Sequence, residues 1–279
     1  MTAYANLAGV EVGDGFPVRV VGAINVSPES FYKGSVAQGE DSLRRQAEQM
    51  TAEAADLLDI GAMSTAPYLP TGITEDEEVH RLTWAIGLVR KTTSIPISAD
   101  TTRSRVALAA LDAGAQVIND VSGFRADPDM AEIVARRAQG VILMASGAGP
   151  EESDPIVTVR RLLEESLHIT WKAGVPEHRV VIDPGIGFFR TAAIPWDAWD
   201  CGILRRLGEL RVLDRPLLIG LSRKSFIGKI LGKADPSDRL VGSLAATAVA
   251  VTNGAHMIRT HDVGSTREAV RMAEALRPG

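Results

Sequence analysis

From Val18 onward, short runs of aliphatic and β-branched residues alternate with longer stretches in which apolar residues recur at helical spacing. Eight such runs can be followed: Val20 to Asn25, Leu57 to Gly61, Ile95 to Asp100, Val117 to Asp120, Val141 to Met144, Val180 to Asp183, Leu217 to Ser222 and Met257 to Asp262. Each reads as a strand followed by a helix, the signature of repeated βα units around a parallel sheet. The third run shows the pattern in full. It leads into Thr101 and Thr102, which predict an N-cap, then into a helical stretch from Arg103 to Ala113, with Gly114 as the stop. The segment Ala192 to Asp200, rich in Trp and Pro, reads as a long loop or a helix entry.

Two architectures repeat βα units. A doubly wound sheet more often carries a glycine-rich dinucleotide turn after its first strand, whereas Gly13 and Gly15 precede the first strand here. Eight strands in 279 residues match the closed alternative, since roughly 250 residues are typical of one (β/α)8 domain. The expectation is therefore an α/β fold, a single-domain (β/α)8 TIM barrel over 18–279 behind an N-terminal extension at 1–17. No low-complexity linker or second composition regime interrupts it.

Composition narrows the partners. The chain is 45% hydrophobic, ample for one core, and its formal charge of -5 argues against a surface built to coat nucleic acid or an anionic membrane. An anionic small molecule would have to be held by a local site. No apolar run approaches the roughly 20 residues that span a bilayer, and no basic segment leads into an apolar one at the N-terminus, so the reading is a soluble, cytoplasmic protein. Cys201, the single cysteine, excludes an intramolecular disulfide and a cysteine metal cluster, and reads as inert.

The chemistry collects where the strands end: Asn25, Asp100, Asn119 with Asp120, Asp183, Ser222 to Lys224, and Arg259 with His261. In a closed barrel these ends share one rim. Any one Asp or Asn can simply cap a helix, but the whole set is better suited to surrounding a small molecule. Asp100, Asn119 and Asp183 offer acceptors and one amide to a flat heterocycle with an amino-amide edge. Lys224 can donate to a carbonyl or ring nitrogen, and Arg259 can stack on the ring while reaching an anion. A pterin and a purine fit this set equally well. Asn25 can hold its own turn, or serve as an oxygen ligand to a Mg2+ that a diphosphate brings with it. Arg259 and His261 alternate along one strand and so share a face, which suits a phosphate. Gly220 to Gly228 passes from strand into helix and places Ser225 and backbone N–H groups where a carboxylate can dock. The segment lacks the glycine spacing of a P-loop, so nucleotide hydrolysis has no motif behind it.

At these residues the chain resembles the dihydropteroate synthase family, in order from about Val20 to Leu276. The motifs are Gly22-Ala23-Ile24-Asn25-Val26-Ser27-Pro28-Glu29-Ser30-Phe31, Asp59-Ile60-Gly61-Ala62-Met63-Ser64-Thr65-Ala66-Pro67, Ala99-Asp100-Thr101, Ile118-Asn119-Asp120-Val121-Ser122-Gly123, Asp183-Pro184-Gly185-Ile186-Gly187-Phe188, Gly220 to Gly228, and Ile258-Arg259-Thr260-His261-Asp262-Val263. The resemblance implies a transferase that joins 6-hydroxymethyl-7,8-dihydropterin diphosphate to p-aminobenzoate in folate biosynthesis and releases diphosphate. It implies that Asp100, Asn119, Asp183, Lys224 and Arg259 hold the pterin. Asn25, Thr65, Arg259 and His261 would serve the diphosphate, with Asn25 on Mg2+, while Pro67, Phe188 and Ser225 would line the arylamine site. Asn25, Lys224, Arg259 and His261 would carry the chemistry, in a homodimer packed through late helices.

The chain departs from the family pattern in places. Met63 and Ala66 stand where Glu and Arg are usual, Glu29 replaces Asp, Lys33 takes a commonly acidic position, and Phe189-Arg190 replaces a Gly-Lys pair. Met144-Ala145-Ser146-Gly147 lacks the customary His and Arg. These changes fall near the second substrate and the diphosphate, so the amine partner is the open half. The competing readings are the same transfer to a larger arylamine, as in a methanopterin-type pathway, and a pterin-dependent methyltransferase, against which Ser222-Arg223-Lys224-Ser225 argues. A non-catalytic pterin binder would not need Arg259 and His261.

Overall fold

The computed structural model describes residues 2–26, 39–63, 72–147, 154–190 and 194–277. Eight parallel strands form one sheet: β3 (Arg19–Asn25), β4 (Leu57–Gly61), β5 (Ile97–Asp100), β6 (Val117–Asp120), β7 (Gly140–Met144), β8 (Val180–Asp183), β9 (Leu218–Gly220) and β10 (Met257–Thr260). Their order is β8-β7-β6-β5-β4-β3-β10-β9, and a parallel bridge between Ile182 and Leu217 brings the two edges together. The result is a nearly closed barrel with helices between successive strands, as the alternation of runs predicts. Among the described residues no helix is long and apolar enough to cross a membrane.

Strand periodicity sorts the side chains, since neighbours along a strand point to opposite faces. One set, including Val20, Ile24, Leu58, Ile60, Ile97, Ile118, Val141, Leu143, Ile182, Ile219 and Ile258, packs into the main core shared with the helices. The other set points inward and changes character along the barrel axis. At the N-terminal end it is apolar, with Val21, Leu57, Val117, Ile142, Val181, Leu218 and Met257 in one cluster. Above them come Asp59, Ser98 and Arg259, and toward the C-terminal ends of the strands Asn25, Asp100, Asn119, Asp183 and His261. Sequence parity thus builds a barrel that is greasy below and polar above.

Within the N-terminal extension, residues 2–17 have a defined structure. β1 (Tyr4–Leu7) and β2 (Val10–Gly13) form an antiparallel hairpin about Ala8 and Gly9, both at positive φ (54° and 94°), as a two-residue hairpin turn demands. Ala5, Leu7 and Val12 lie against the lower apolar layer of the barrel. A Cβ added to Gly140 would fall 2.5 Å from Leu7 Cδ2, so glycine there admits the hairpin. The Asp14 carboxylate accepts from Ala3 N at 3.0 Å and Arg211 Nη2 at 2.9 Å, tying the hairpin's end down.

Two local expectations change. No N-cap forms at Thr101–Thr102: Thr101 Oγ1 donates to buried Glu78 at 2.7 Å, and α3 (Ser104–Ala113) starts at Ser104, whose N–H is taken by Asp127 at 2.7 Å. Long-range carboxylates outcompete the local cap. Gly114 does close that helix, at φ 112°. In the Trp- and Pro-rich segment, α6 (Trp196–Arg205) begins directly after Pro195.

Candidate active site

The site grows out of strand register. Asn25, Gly61, Asp100 and Asn119 are consecutive partners across β3, β4, β5 and β6, which sets their side chains in one row at the barrel mouth. A Cβ on Gly61 would stand 3.5 Å from Asp100 Cβ and 3.7 Å from Asn25 Oδ1, so the missing side chain lets those two groups face each other. The row borders a cavity lined by Asp100, Asn119, Asp183, Lys224, Arg259 and His261, with Val121, Met144 and Phe188 as apolar walls. Residues from β5, β6, β7, β8 and β10, and from the segment after β9, meet there.

Arg259 is the hub. Its Nε donates to Asp59 at 2.6 Å and its Nη2 to Asp100 at 3.2 Å, while Asn119 Nδ2 also donates to Asp59 at 3.0 Å. One guanidinium therefore serves two buried carboxylates, and this favours its charged form although burial opposes it. Burial, with the Asp59 charge beside it, pushes the Asp100 carboxyl well above the usual range, against the pull of Arg259. Oδ1 of Asp59 and Oδ1 of Asp100 are buried with no hydrogen-bond partner. Buried acceptors left open in a pocket are costly, and a ligand N–H would satisfy them.

On the opposite wall, Asp183 Oδ1 accepts from Gly185 N at 2.8 Å, and burial raises this carboxyl too, although Lys224 opposes the shift. Gly185 and Gly187 adopt positive φ (75° and 83°), folding a tight turn that brings the Ile186 carbonyl to Lys224 Nζ and sets the Phe188 ring 4.8 Å from it. Burial lowers Lys224 to about 8 despite the nearby Asp183 and Asp200. Arg223, at φ 55°, turns the opposite way: its guanidinium forks onto Asp262 at 2.9 and 2.7 Å and meets the carbonyls of Pro236 and Ser237. In the Ser222-Arg223-Lys224 run, the arginine is an anchor that lets the lysine enter the cavity.

His261 lies on the same wall as Arg259. Its Nδ1 is 3.1 Å from the Ala23 carbonyl, which only accepts, so Nδ1 carries the hydrogen. Burial and Arg259 push it down to about 4, leaving a neutral ring at neutral pH.

Not every strand-end polar residue belongs to the cavity. Asp120 points away and accepts from Ser122 N at 2.7 Å and Phe124 N at 3.0 Å, so its work is local capping. Ser225 opens α7 (Ser225–Leu231), and its hydroxyl accepts from Arg190 Nη2 at 2.6 Å, with the Arg190 guanidinium 4.2 Å over Trp196. Thr65, Ala66 and Pro67 lie outside the described residues. Asn25 is half-buried at the end of β3. The described residues hold no cluster of three His, Cys, Asp or Glu able to bind a metal. Sequence reading missed Asp59 as an individual site residue. Its signal was a carboxylate between isoleucine and leucine in the run Leu57 to Gly61, where a charge needs a partner.

Comparison with known proteins agrees with this geometry. Residues 21–261 match the family model described as pterin binding enzyme. A dihydropteroate synthase of Synechocystis sp. is 36% identical over 264 residues, spanning 92% of this chain and 89% of that one. The dihydropteroate synthase of Mycobacterium leprae is also 36% identical, over 93% of both chains. Among solved structures, a Coxiella burnetii dihydropteroate synthase in complex with pteroic acid superposes with a TM-score of 0.87 at 35% identity, covering 99% of this chain and 98% of that one. The Xanthomonas albilineans dihydropteroate synthase with 4-aminobenzoic acid gives 0.87 at 34% identity over all of both chains.

Proposed function

This chain belongs to the dihydropteroate synthase family of pterin-binding enzymes, and on that premise we propose that it condenses 6-hydroxymethyl-7,8-dihydropterin diphosphate with p-aminobenzoate, releasing diphosphate. The reading rests on one observation above the others: the unpartnered Asp100 Oδ1, buried in the row with Asn119 and facing a cavity that also holds Asp183 and Lys224. A pterin's amino-pyrimidinone edge supplies adjacent N–H donors for the carboxylates and a carbonyl for Lys224. Arg259 lies against the ring, tethered by Asp59 and Asp100.

In the reaction, the C–O bond to diphosphate breaks and its electron pair departs with the diphosphate. The pterin methylene left behind is a delocalised cation. The amine nitrogen attacks it, forms the C–N bond and gives up a proton to the released diphosphate or solvent. The carboxyl oxygens of Asp59 and Asp100 stand beside the developing cation as electron-rich acceptors, while Arg259 and His261 donate to the departing anion. His261 takes up a proton as the anion binds, because opposite charge reverses the effect of burial. No side chain acts as a covalent nucleophile. Phe188 and Ser225 line the amine side, and the family pattern assigns Thr65 to the diphosphate and Pro67 to the amine.

Asn25 offers a single amide oxygen beside Asp100, a donor set that fits a Mg2+ whose remaining ligands are diphosphate oxygens and water. Bound there, Mg2+ would neutralise charge on the leaving group. The enzyme works in the cytoplasm as a homodimer, with 18–279 as the catalytic barrel and 1–17 as its basal seal. Support for the dimer comes from the late helices α7, α8 (Leu240–Thr252) and α9 (Val263–Leu276), which expose Ile230, Leu231, Val241, Val249, Met272 and Leu276.

The test is direct. Purified protein with the dihydropterin diphosphate, Mg2+ and a panel of arylamines should yield dihydropteroate by mass, with p-aminobenzoate the preferred amine. Exclusive use of a larger arylamine would overturn the p-aminobenzoate assignment, and no coupling with any amine would overturn the transferase itself.

A further inference from the structure

Asp200 sits on α6, away from every strand end, with no exposed surface. Its Oδ1 accepts from Gly187 N at 2.8 Å, and its Oδ2 is buried without a hydrogen-bond partner. Gly187 lies at the centre of the turn that presents Phe188 and the Ile186 carbonyl to Lys224, and a Cβ on it would meet Lys224 Cδ at 3.0 Å. The turn is therefore held from both ends: Asp183 takes Gly185 N and Asp200 takes Gly187 N. A neutral side chain could make the Gly187 contact at lower desolvation cost, so the charge itself calls for a role.

We infer that Asp200 is a positioning residue for the transfer site, fixing the Gly185–Phe188 turn against Lys224 and keeping the Lys224 ammonium charged from behind the turn. The inference rests on the reading of this cavity as the pterin site. The charged groups acting on Lys224 are Asp183 and Asp200, which favour its ammonium, and Arg259 and Arg190, which oppose it; Asp200 itself faces Lys224, Arg190 and Asp197. Burial raises Asp200 to about 6, so it is ionised at neutral pH, where Lys224 at about 8 remains protonated.

The experiment compares wild type, Asp200→Asn and Asp200→Ala in the full chain, by kcat/KM from pH 6 to 10, by pterin calorimetry over the same range, and by thermal melting. Asp200→Asn keeps an acceptor for Gly187 N but removes the charge, so the alkaline limb of kcat/KM and of pterin affinity moves roughly half a pH unit or more toward acid. It also melts at or above the wild-type temperature at pH 7.5. The ordinary carboxyl value is 3.8 and the folded value about 6, so the stability that protonation brings is complete below the first and lost above the second. Asp200→Ala loses the turn contact as well and drops kcat/KM by a further tenfold or more, on the order expected for a misplaced reacting geometry. An unmoved alkaline limb in Asp200→Asn overturns the inference. Should Asp200→Ala fail to fold, the Asp200→Asn profile decides alone. If wild type couples no amine, the reading of the reaction fails, and the pH dependence of pterin binding still decides the role of Asp200.

Discussion

At the scale of single residues, the cavity is governed by the difference between what is buried and what is satisfied. Asp100 and Asp183 are both shifted upward by burial, yet they face opposite walls, so each presents its own acceptor edge to a bound ring. Asp100→Asn and Asp183→Asn should each weaken pterin binding by roughly 10- to 100-fold in calorimetry, as expected when a buried acceptor oxygen is exchanged for an amide N–H that faces the ring's own donors, with melting temperature nearly unchanged. Unchanged affinity in both would remove the pterin assignment. His261 separates catalysis from binding: His261→Ala should lower kcat about 10²–10³-fold while pterin affinity changes little, since the lost donor acts on a leaving group. The same histidine should take up a proton when diphosphate binds near pH 6. It lies at about 4 without an anion beside it and is raised by a bound one, so calorimetry in buffers of different ionisation enthalpy should detect uptake in wild type and none in His261→Ala.

At the scale of elements, the strands were legible because their inward and outward faces follow a period of two, and because polar residues gather at their C-terminal ends. The ring of Asn25, Asp100, Asn119, Asp183, Lys224, Arg259 and His261 could be read for the same reason: a strand end names its residue without any tertiary knowledge. Three features could not be read that way. Asp120 ends a strand like Asp100 but is one residue out of phase and caps its own turn. Asp200 acts through a backbone N–H from a helix, a contact with no local sequence signal. The hairpin at the base is two four-residue strands, too short for alternation to announce. Its weight is nonetheless measurable. Leu7 is fully buried against the lower barrel layer, so Leu7→Ala should cost about 2–5 kcal/mol in denaturant unfolding, with kinetic constants preserved at temperatures where the variant is folded. A loss well under 1 kcal/mol would mean the hairpin merely rests on the barrel.

At the scale of the whole molecule, the distribution of exposed apolar side chains is uneven. Of the eleven large apolar side chains exposed among the described residues, six, Ile230, Leu231, Val241, Val249, Met272 and Leu276, belong to the last three helices. Helix α8 is the extreme case: it carries no charged residue, and Val241, Ala245 and Val249 recur at four-residue intervals on its exposed side. An apolar outward face is explained by packing against something, since a surface helix of a monomer is normally polar there. A second copy of the same chain meets that need with a self-complementary patch, which a two-fold axis through α8 would provide. Val241, at 72% exposure, is the natural probe because it contributes little to the fold of its own subunit. Val241→Lys should place like charges near the axis and shift the protein from dimer to monomer in sedimentation velocity, while circular dichroism stays unchanged. Since every cavity residue named above comes from one chain, the monomer should keep its pterin affinity and lose only what the interface lends to stability, a few degrees of melting temperature. A wild-type chain that sediments as a monomer at micromolar concentration would remove the dimer from the proposal, and a Val241→Lys variant that remains dimeric would move the interface away from α8.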